Sequence, residues 1–316
     1  MKRFIISSLV SAAALCAQSS SVTTSTDFNG NRVQYGPEVI QTKTPTGSET
    51  TYTTQSINGR TVPMEKIEVN VLRDDASGRV VERIVHRYDP QGNPAPPTKE
   101  TIEERKGGDG SSTIQTTTYR GDINGNLQVA QKSVTEVHRS GSQETAETVI
   151  QRPSINGSMD TVEKQSQVTM KDATGGYRQD ATTYRRDGNG GFYEAVRTTT
   201  EHAQQGSEVT DNTAEYEAGP GGQLQLHSQT TSKTVTTPDG SKEVVVDIFG
   251  QNVPGVVNSS SSALKLQEQQ VIQEKPGPND TLTQTVSVRR PTMADPNTLG
   301  PARQLSQTVC QGACKP

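Results

Sequence analysis

Glycines in turn-like settings recur along the chain at a fixed interval, and that interval limits the fold more than any local feature does. Gly59, Gly92, Gly125, Gly157, Gly190 and Gly222 are separated by 33, 33, 32, 33 and 32 residues. A second series, Gly78, Gly110, Gly141, Gly175, Gly206 and Gly240, lies between them at spacings of 32, 31, 34, 31 and 34. A turn therefore falls roughly every 16 residues, and the repeating unit is two strands and two turns. The first series reads Ile57-Asn58-Gly59, Ile123-Asn124-Gly125 and Ile155-Asn156-Gly157, the Asn-Gly pattern of tight hairpins. The second favours Gly-Ser, as in Gly141-Ser142, Gly206-Ser207 and Gly240-Ser241.

Segments between turns are rich in Thr, Val, Ile and Tyr, and alternation is visible in Val80, Glu82, Ile84, His86 and Tyr88. These read as long strands. Helix has little support. Leu264 to Glu274 passes by propensity, but Val271-Ile272 and its place in the series favour a strand. Composition agrees: 29% of residues are apolar and 4% aromatic, with no Trp, which is too little for the thick core of a compact enzyme. Disorder is opposed by a formal net charge of only −4 and by 41 Thr, a β-branched residue suited to strands.

The fold expected is all-β: an elongated antiparallel meander of about sixteen long strands built from ~32-residue two-strand repeats. A porin-like barrel has the same strand arithmetic but needs an apolar lipid face on every strand. Met159 to Val168 and Glu208 to Thr213 put charged or amide side chains on both alternating faces. A parallel solenoid would need an apolar residue at every inward position, which the strands lack. A largely single-layer sheet, solvated on both faces, suits the composition. Sheets of that width curl, so a twisted ribbon or a partly closed barrel is expected.

Domain boundaries follow. Residues 1–17 have the layout of a signal peptide, with Lys2 and Arg3, an apolar run from Phe4 to Leu15, and cleavage after Ala17; Ala14 is the alternative. Residues 18–253 form the repeat array, 254–262 a Ser-rich loop, and 263–316 terminal repeat units with a Cys-x3-Cys tail. Export to the periplasm or medium, in a bacterium, is expected. Bacterial lipoproteins are cut before a Cys preceded by a small residue, and Leu15 precedes Cys16, which argues against a lipid anchor. Cys310 and Cys314 are then an even pair in an oxidising compartment, and Gly312 permits the tight turn a disulfide between them needs.

An aromatic or apolar residue ends nearly every second strand: Tyr52, Tyr88, Tyr119, Ile150, Tyr184, Tyr216 and Phe249. On alternate strands these would form a stripe with a spacing of roughly 10 Å. Its plainest role is to hold register; a stacking platform for sugar rings, centred on Tyr88, Tyr119, Tyr184 and Tyr216, is the functional alternative. A basic residue follows some of them, as in Tyr119-Arg120 and Tyr184-Arg185-Arg186. The turns Tyr88 to Asn93 and Tyr119 to Leu127 resemble the Tyr-Asp turns of YD-type β-repeat proteins of bacterial surfaces. The resemblance covers turns alone and carries no function.

The four histidines, His86, His138, His202 and His227, read as solvated strand positions and not as a shared metal site. Asp122 to Asn126 and Asp187 to Gly190 space oxygens as calcium loops do, but lack the distant bidentate Glu. Arg120-Gly121-Asp122 spells an integrin-type tripeptide, and Asn156, Asn258 and Asn279 open glycosylation sequons. No nucleophile elbow, phosphate loop or zinc spacing occurs in the mature chain. The expected function is a secreted, non-enzymatic protein with a structural, adhesive or cell-envelope role and no cofactor. The alternative is a glycan- or ligand-binding module. Expected partners are a second copy through edge strands, or a cell-surface or glycan partner, with neither nucleic acid nor a membrane span.

Overall fold

The computed structural model describes residues 17–26, 32–57, 60–122, 124–219, 221–251, 264–292 and 298–312. Eighteen strands run in chain order: β1 (Ala17–Thr26), β2 (Arg32–Lys43), β3 (Glu49–Ile57), β4 (Arg60–Asp75), β5 (Gly78–Arg87), β6 (Thr98–Lys106), β7 (Ser112–Gly121), β8 (Leu127–Ser140), β9 (Gln143–Pro153), β10 (Met159–Lys171), β11 (Tyr177–Arg186), β12 (Phe192–Gln205), β13 (Glu208–Ala218), β14 (Leu224–Thr236), β15 (Lys242–Gly250), β16 (Lys265–Gly277), β17 (Thr281–Arg289) and β18 (Arg303–Gly312). Each pairs antiparallel with its sequence neighbours, and β1 also pairs with β18, Val22 facing Val309 and Thr23 facing Thr308. The meander is therefore closed into a barrel, with two strands more than the spacing predicted. Leu264 to Glu274 is strand, within β16.

The turns explain why the spacing was so regular. Every described glycine of both series has positive φ; Gly59 lies outside the described residues. At Ser154 to Ser158 the amide of Ser154 donates to the Ser158 carbonyl and that of Gly157 to the Ser154 carbonyl, with Gly157 alone at φ 79°. That is a type I turn closed by a left-handed glycine, not the doubly left-handed turn that Asn-Gly suggests. In these five-residue connections only the fourth position takes positive φ, so Asn156 keeps a negative one. Turns such as Gly141-Ser142, by contrast, join directly paired Ser140 and Gln143.

The ladder register assigns every side chain to one of two faces. One carries Val85, Val137, Val288, Ser112 and Thr169, which are among the most buried residues. On the other, residues as small as Thr113 and Ala203 stay exposed, and Val309 is 42% accessible against 7% for Val137, although Thr117 and Thr54 are buried on that face as well. Side chains converge on the concave side of a cylinder and shield one another there, so the first face lines the lumen.

No described side chain of any size is fully buried, and most strand residues on both faces are half-buried or exposed. The wall is thus wet on both sides. Its cohesion is in the ladders and in cross-strand pairs, each worth roughly 0.2–1 kcal/mol. Thr135 and Thr148 share a hydrogen bond of 2.8 Å and Thr200 and Thr213 one of 3.2 Å; Arg139 pairs with Glu144 at 2.7 Å and Lys233 with Glu208 at 2.8 Å.

Closure corrects one expectation directly. Among the described residues no strand has a free edge, so self-association by edge-strand addition has no edge to use. Residues 1–16 of the signal segment, the Ser-rich loop at 254–262 and Cys314 lie outside the described residues, and Ala17 opens β1. Cys310 sits on β18 on the luminal face, across from Ser21 and Leu282.

Candidate functional site

All odd-to-even turns fall on one rim. There the strand ends carry a second repeated device, a β-bulge in seven of the nine even strands. The extra residues are Met64, Ala130, Val162, Ala195, His227, Gln267 and Leu305. A bulge adds local twist and turns the strand at a barrel mouth.

The aromatic series lies beside these bulges. Tyr119 faces Val129, Tyr184 faces Glu194 and Tyr216 faces Leu226, each one step past a bulge. Tyr52 lies across from Lys66, and Tyr88 follows β5 in an isolated bridge with Pro94. Tyr52, Tyr119, Tyr184, Tyr216 and Phe249 all point outward, and each is half-buried, as is Tyr88. Their spacing differs from the flat-sheet figure. Tyr216 lies across Arg197 from Thr182, and Tyr184 is two residues beyond Thr182. Two strands over and two residues along is about 12 Å, because the strands tilt by about one residue per strand, roughly 35°. Ile150 does not belong to the belt. It faces Ser133 and Glu163 on the luminal side, and the outward place level with Tyr119 and Tyr184 belongs to Gln151, which lies across Lys132 from Thr117.

A cation faces most of these rings from a neighbouring strand: Lys66 across from Tyr52, Lys99 from Tyr119, Lys164 from Tyr184 and Arg197 from Tyr216. Several are balanced by acids, Lys66 by Glu68 at 2.8 Å, Lys99 by Glu82 and Arg197 by Glu194 at 2.7 Å. The hydrogen bond to Glu68 raises the Lys66 ammonium above its ordinary range, and its counterpart from Lys66 lowers the Glu68 carboxyl. Lys164 instead lies 4.7 Å over the Phe192 ring. The belt is amphipathic and close to neutral.

Other candidates resolve locally. The Asp122 carboxylate accepts the amides of Asn124 and Asn126 at 2.8 and 2.9 Å, and Asp187 those of Asn189 and Gly191 at 2.8 Å each. These oxygens cap turns, which is why the calcium-like spacing recurs without a distant Glu. Among the described residues no cluster of three metal-ligating side chains occurs. In Arg120-Gly121-Asp122 the aspartate is this same cap, and a side chain at Gly121 would meet Pro96 at 2.8 Å. Asn156 and Asn279 are in turns, and Asn258 lies outside the described residues.

His138 faces outward and His202 inward, so the two share no site. His202 forms a contact invisible to sequence spacing. Its ring stacks on Tyr177 at 4.7 Å, its Nδ1 is 2.6 Å from Asp211 Oδ1, and Ser232 Oγ donates to Asp211 Oδ2 at 3.4 Å. The carboxylate stands between serine and imidazole, so the histidine cannot take the hydroxyl proton as a nucleophilic relay requires. Only cross-strand register brings these residues together, and no signal within one strand marks them.

Among known proteins the chain matches no family and no curated sequence. Two solved structures show weak likeness. A protein of unknown function from Bacteroides fragilis aligns over 48% of this chain and 91% of its own, at 13% identity and a TM-score of 0.27. CdiB from Acinetobacter baumannii aligns over 94% of this chain, at 10% identity and a TM-score of 0.38; the match spans 60% of that protein's length. Neither score supports an argument about function.

Proposed function

We propose that this is an exported, non-enzymatic β-barrel with a structural or adhesive role at the bacterial cell envelope. The observation that carries the reading is a closed wall with polar, charged side chains on both faces. Such a wall offers extent and display of turns in place of a buried reaction centre. Lys132, Glu147, Glu201 and Lys233 project outward along the length of the strands, and a cation there would cost about 2–4 kcal/mol at a bilayer midplane. These charges favour a barrel that stands in water over one set in lipid. The apolar run from Phe4 to Leu15 supports export, and a Cys310–Cys314 disulfide would clip the chain end next to β18.

Fractionation of the native cell tests the reading. The protein is expected in the envelope or medium with its N-terminus at Gln18; a cytoplasmic chain retaining Met1, or turnover in a hydrolase panel, would overturn it. A second reading, a glycan-binding surface, is favoured by the outward Tyr belt. Replacing Tyr119, Tyr184 and Tyr216 with Thr is then expected to abolish retention on insoluble polysaccharide while the strand signal in circular dichroism persists.

A further inference from the structure

The same rim carries a second periodic feature on its luminal side. Arg87, Arg120, Arg152 and Arg185 recur at 33, 32 and 33 residues near the C-terminal ends of β5, β7, β9 and β11. Arg120 and Arg185 each follow a tyrosine and Arg87 precedes one. Adjacent strand residues point to opposite faces, so the phenol goes out and the guanidinium into the mouth.

Register places the four on one arc. Val85 lies across Thr98 from Arg120, and Arg87 is two residues beyond Val85. Ile150 lies across Glu163 from Arg185, and Arg152 is two residues beyond Ile150. Arg152 Nε donates to Gln131, which faces Thr118, two residues before Arg120. Each step is two strands over and two residues along, or about 12 Å.

The four are exposed, Arg87 at 67% and Arg185 at 57% of the side chain. Glu65 sits 3.2 Å from Arg87 and Glu163 3.8 Å from Arg185, and Asp160 faces Arg152 across the ladder. Arg120 makes no ion pair among the described residues. Deeper in the lumen, β7 to β11 present the hydroxyls and amides of Thr116, Ser133, Thr148, Gln165 and Thr183, and on β5 and β6 Arg83 and Glu100 neutralise each other at 3.0 Å.

We propose that this arc is a carboxylate-binding mouth that receives one strand of a linear acidic polysaccharide into the lumen. Guanidinium forks bind carboxylates with paired, charge-assisted hydrogen bonds. Sparse cations with hydroxyl and amide groups between them fit a polymer whose carboxylates are separated by hydroxyls. Nucleic acid fits poorly. It carries a charge every 3.4 Å or so along a strand, and this chain has a net charge of −4 and acids beside three of the four arginines. The mouth is wide enough: a circular eighteen-strand barrel at this tilt is roughly 34 Å across between backbones. The site is separate from the outward tyrosines and does not depend on them.

The test is binding of fluorescent polygalacturonate to the full mature chain, beside neutral dextran and a single-stranded DNA of matched length. Polygalacturonate is expected to bind, to weaken as salt rises, and to weaken at least about tenfold in Arg120→Gln/Arg152→Gln, with dextran and DNA much weaker. Tyr119→Thr is expected to leave this binding unchanged. Equal affinity in the double variant, absence of binding, or dextran or DNA bound as tightly would overturn the proposal. If the double variant loses its strand signal, Arg120→Gln alone carries the comparison, since it breaks no ion pair.

Discussion

Asp89, Asp122 and Asp172 show how single side chains set the rims. Asp89 is held below the usual carboxylate range by Asn93, through its side chain and then its amide, and Asp172 by the Thr174 hydroxyl and amide. In Asp122 the Asn126 amide contributes most. A carboxyl depressed on folding stabilises the turn above its unfolded value, near 3.9, and that contribution is lost as pH falls through the lower folded value. Carbon-detected titration should therefore give midpoints below that of an unfolded aspartate for these three, with the amides of Asn93, Asn126 and Gly176 shifting in step. Ordinary midpoints would mean the caps are open in solution. Gly157 makes a different point. A side chain there would meet nothing within 4 Å, so its need is purely for φ 79°. Gly157→Ala should cost about 1–2 kcal/mol in urea unfolding, and Gly157→Asn distinctly less.

At the scale of elements, the bulges decide which residue faces which way. Deleting Ala195 would remove the extra residue that lets Thr183 face Val196 while Tyr184 faces Glu194. Either the start of β12 turns inside out or its rim end unpairs. Limited proteolysis should show new cleavage near residues 187–194 in that variant, whereas Ala195→Gly, which keeps the bulge, should not. The aromatic series fails at one strand, β9. Periodicity in sequence selects Ile150, which is one residue short of the belt and therefore on the luminal face. A one-residue offset reverses the face, and only the paired register shows that Gln151 takes the outward place.

For the whole molecule, the β1–β18 ladder is what separates a barrel from a ribbon. Removing residues 17–26 would expose β2 and β18 as edges. The shortened chain should associate in sedimentation experiments, and the intact barrel should stay monomeric at the same concentration. Intact protein should also give a scattering pair-distance distribution of a hollow cylinder, peaking at longer distance than that of a solid body of equal mass.

Much of this was legible without coordinates. Thr-rich segments between glycine turns define strands, because β-branched residues suit the pleat and a left-handed position selects Gly. Their interval defines hairpins, and the scarcity of apolar residues excludes a thick core. What tertiary structure alone decided is closure, and with it inside and outside. Both faces of these strands are polar, so burial leaves no mark in the sequence to distinguish lumen from exterior. Pairing Val22 with Val309 is a contact between chain ends, which no local preference encodes. Once that ladder forms, the Tyr-Arg steps acquire a direction: the ring outward at the rim, the guanidinium into the mouth.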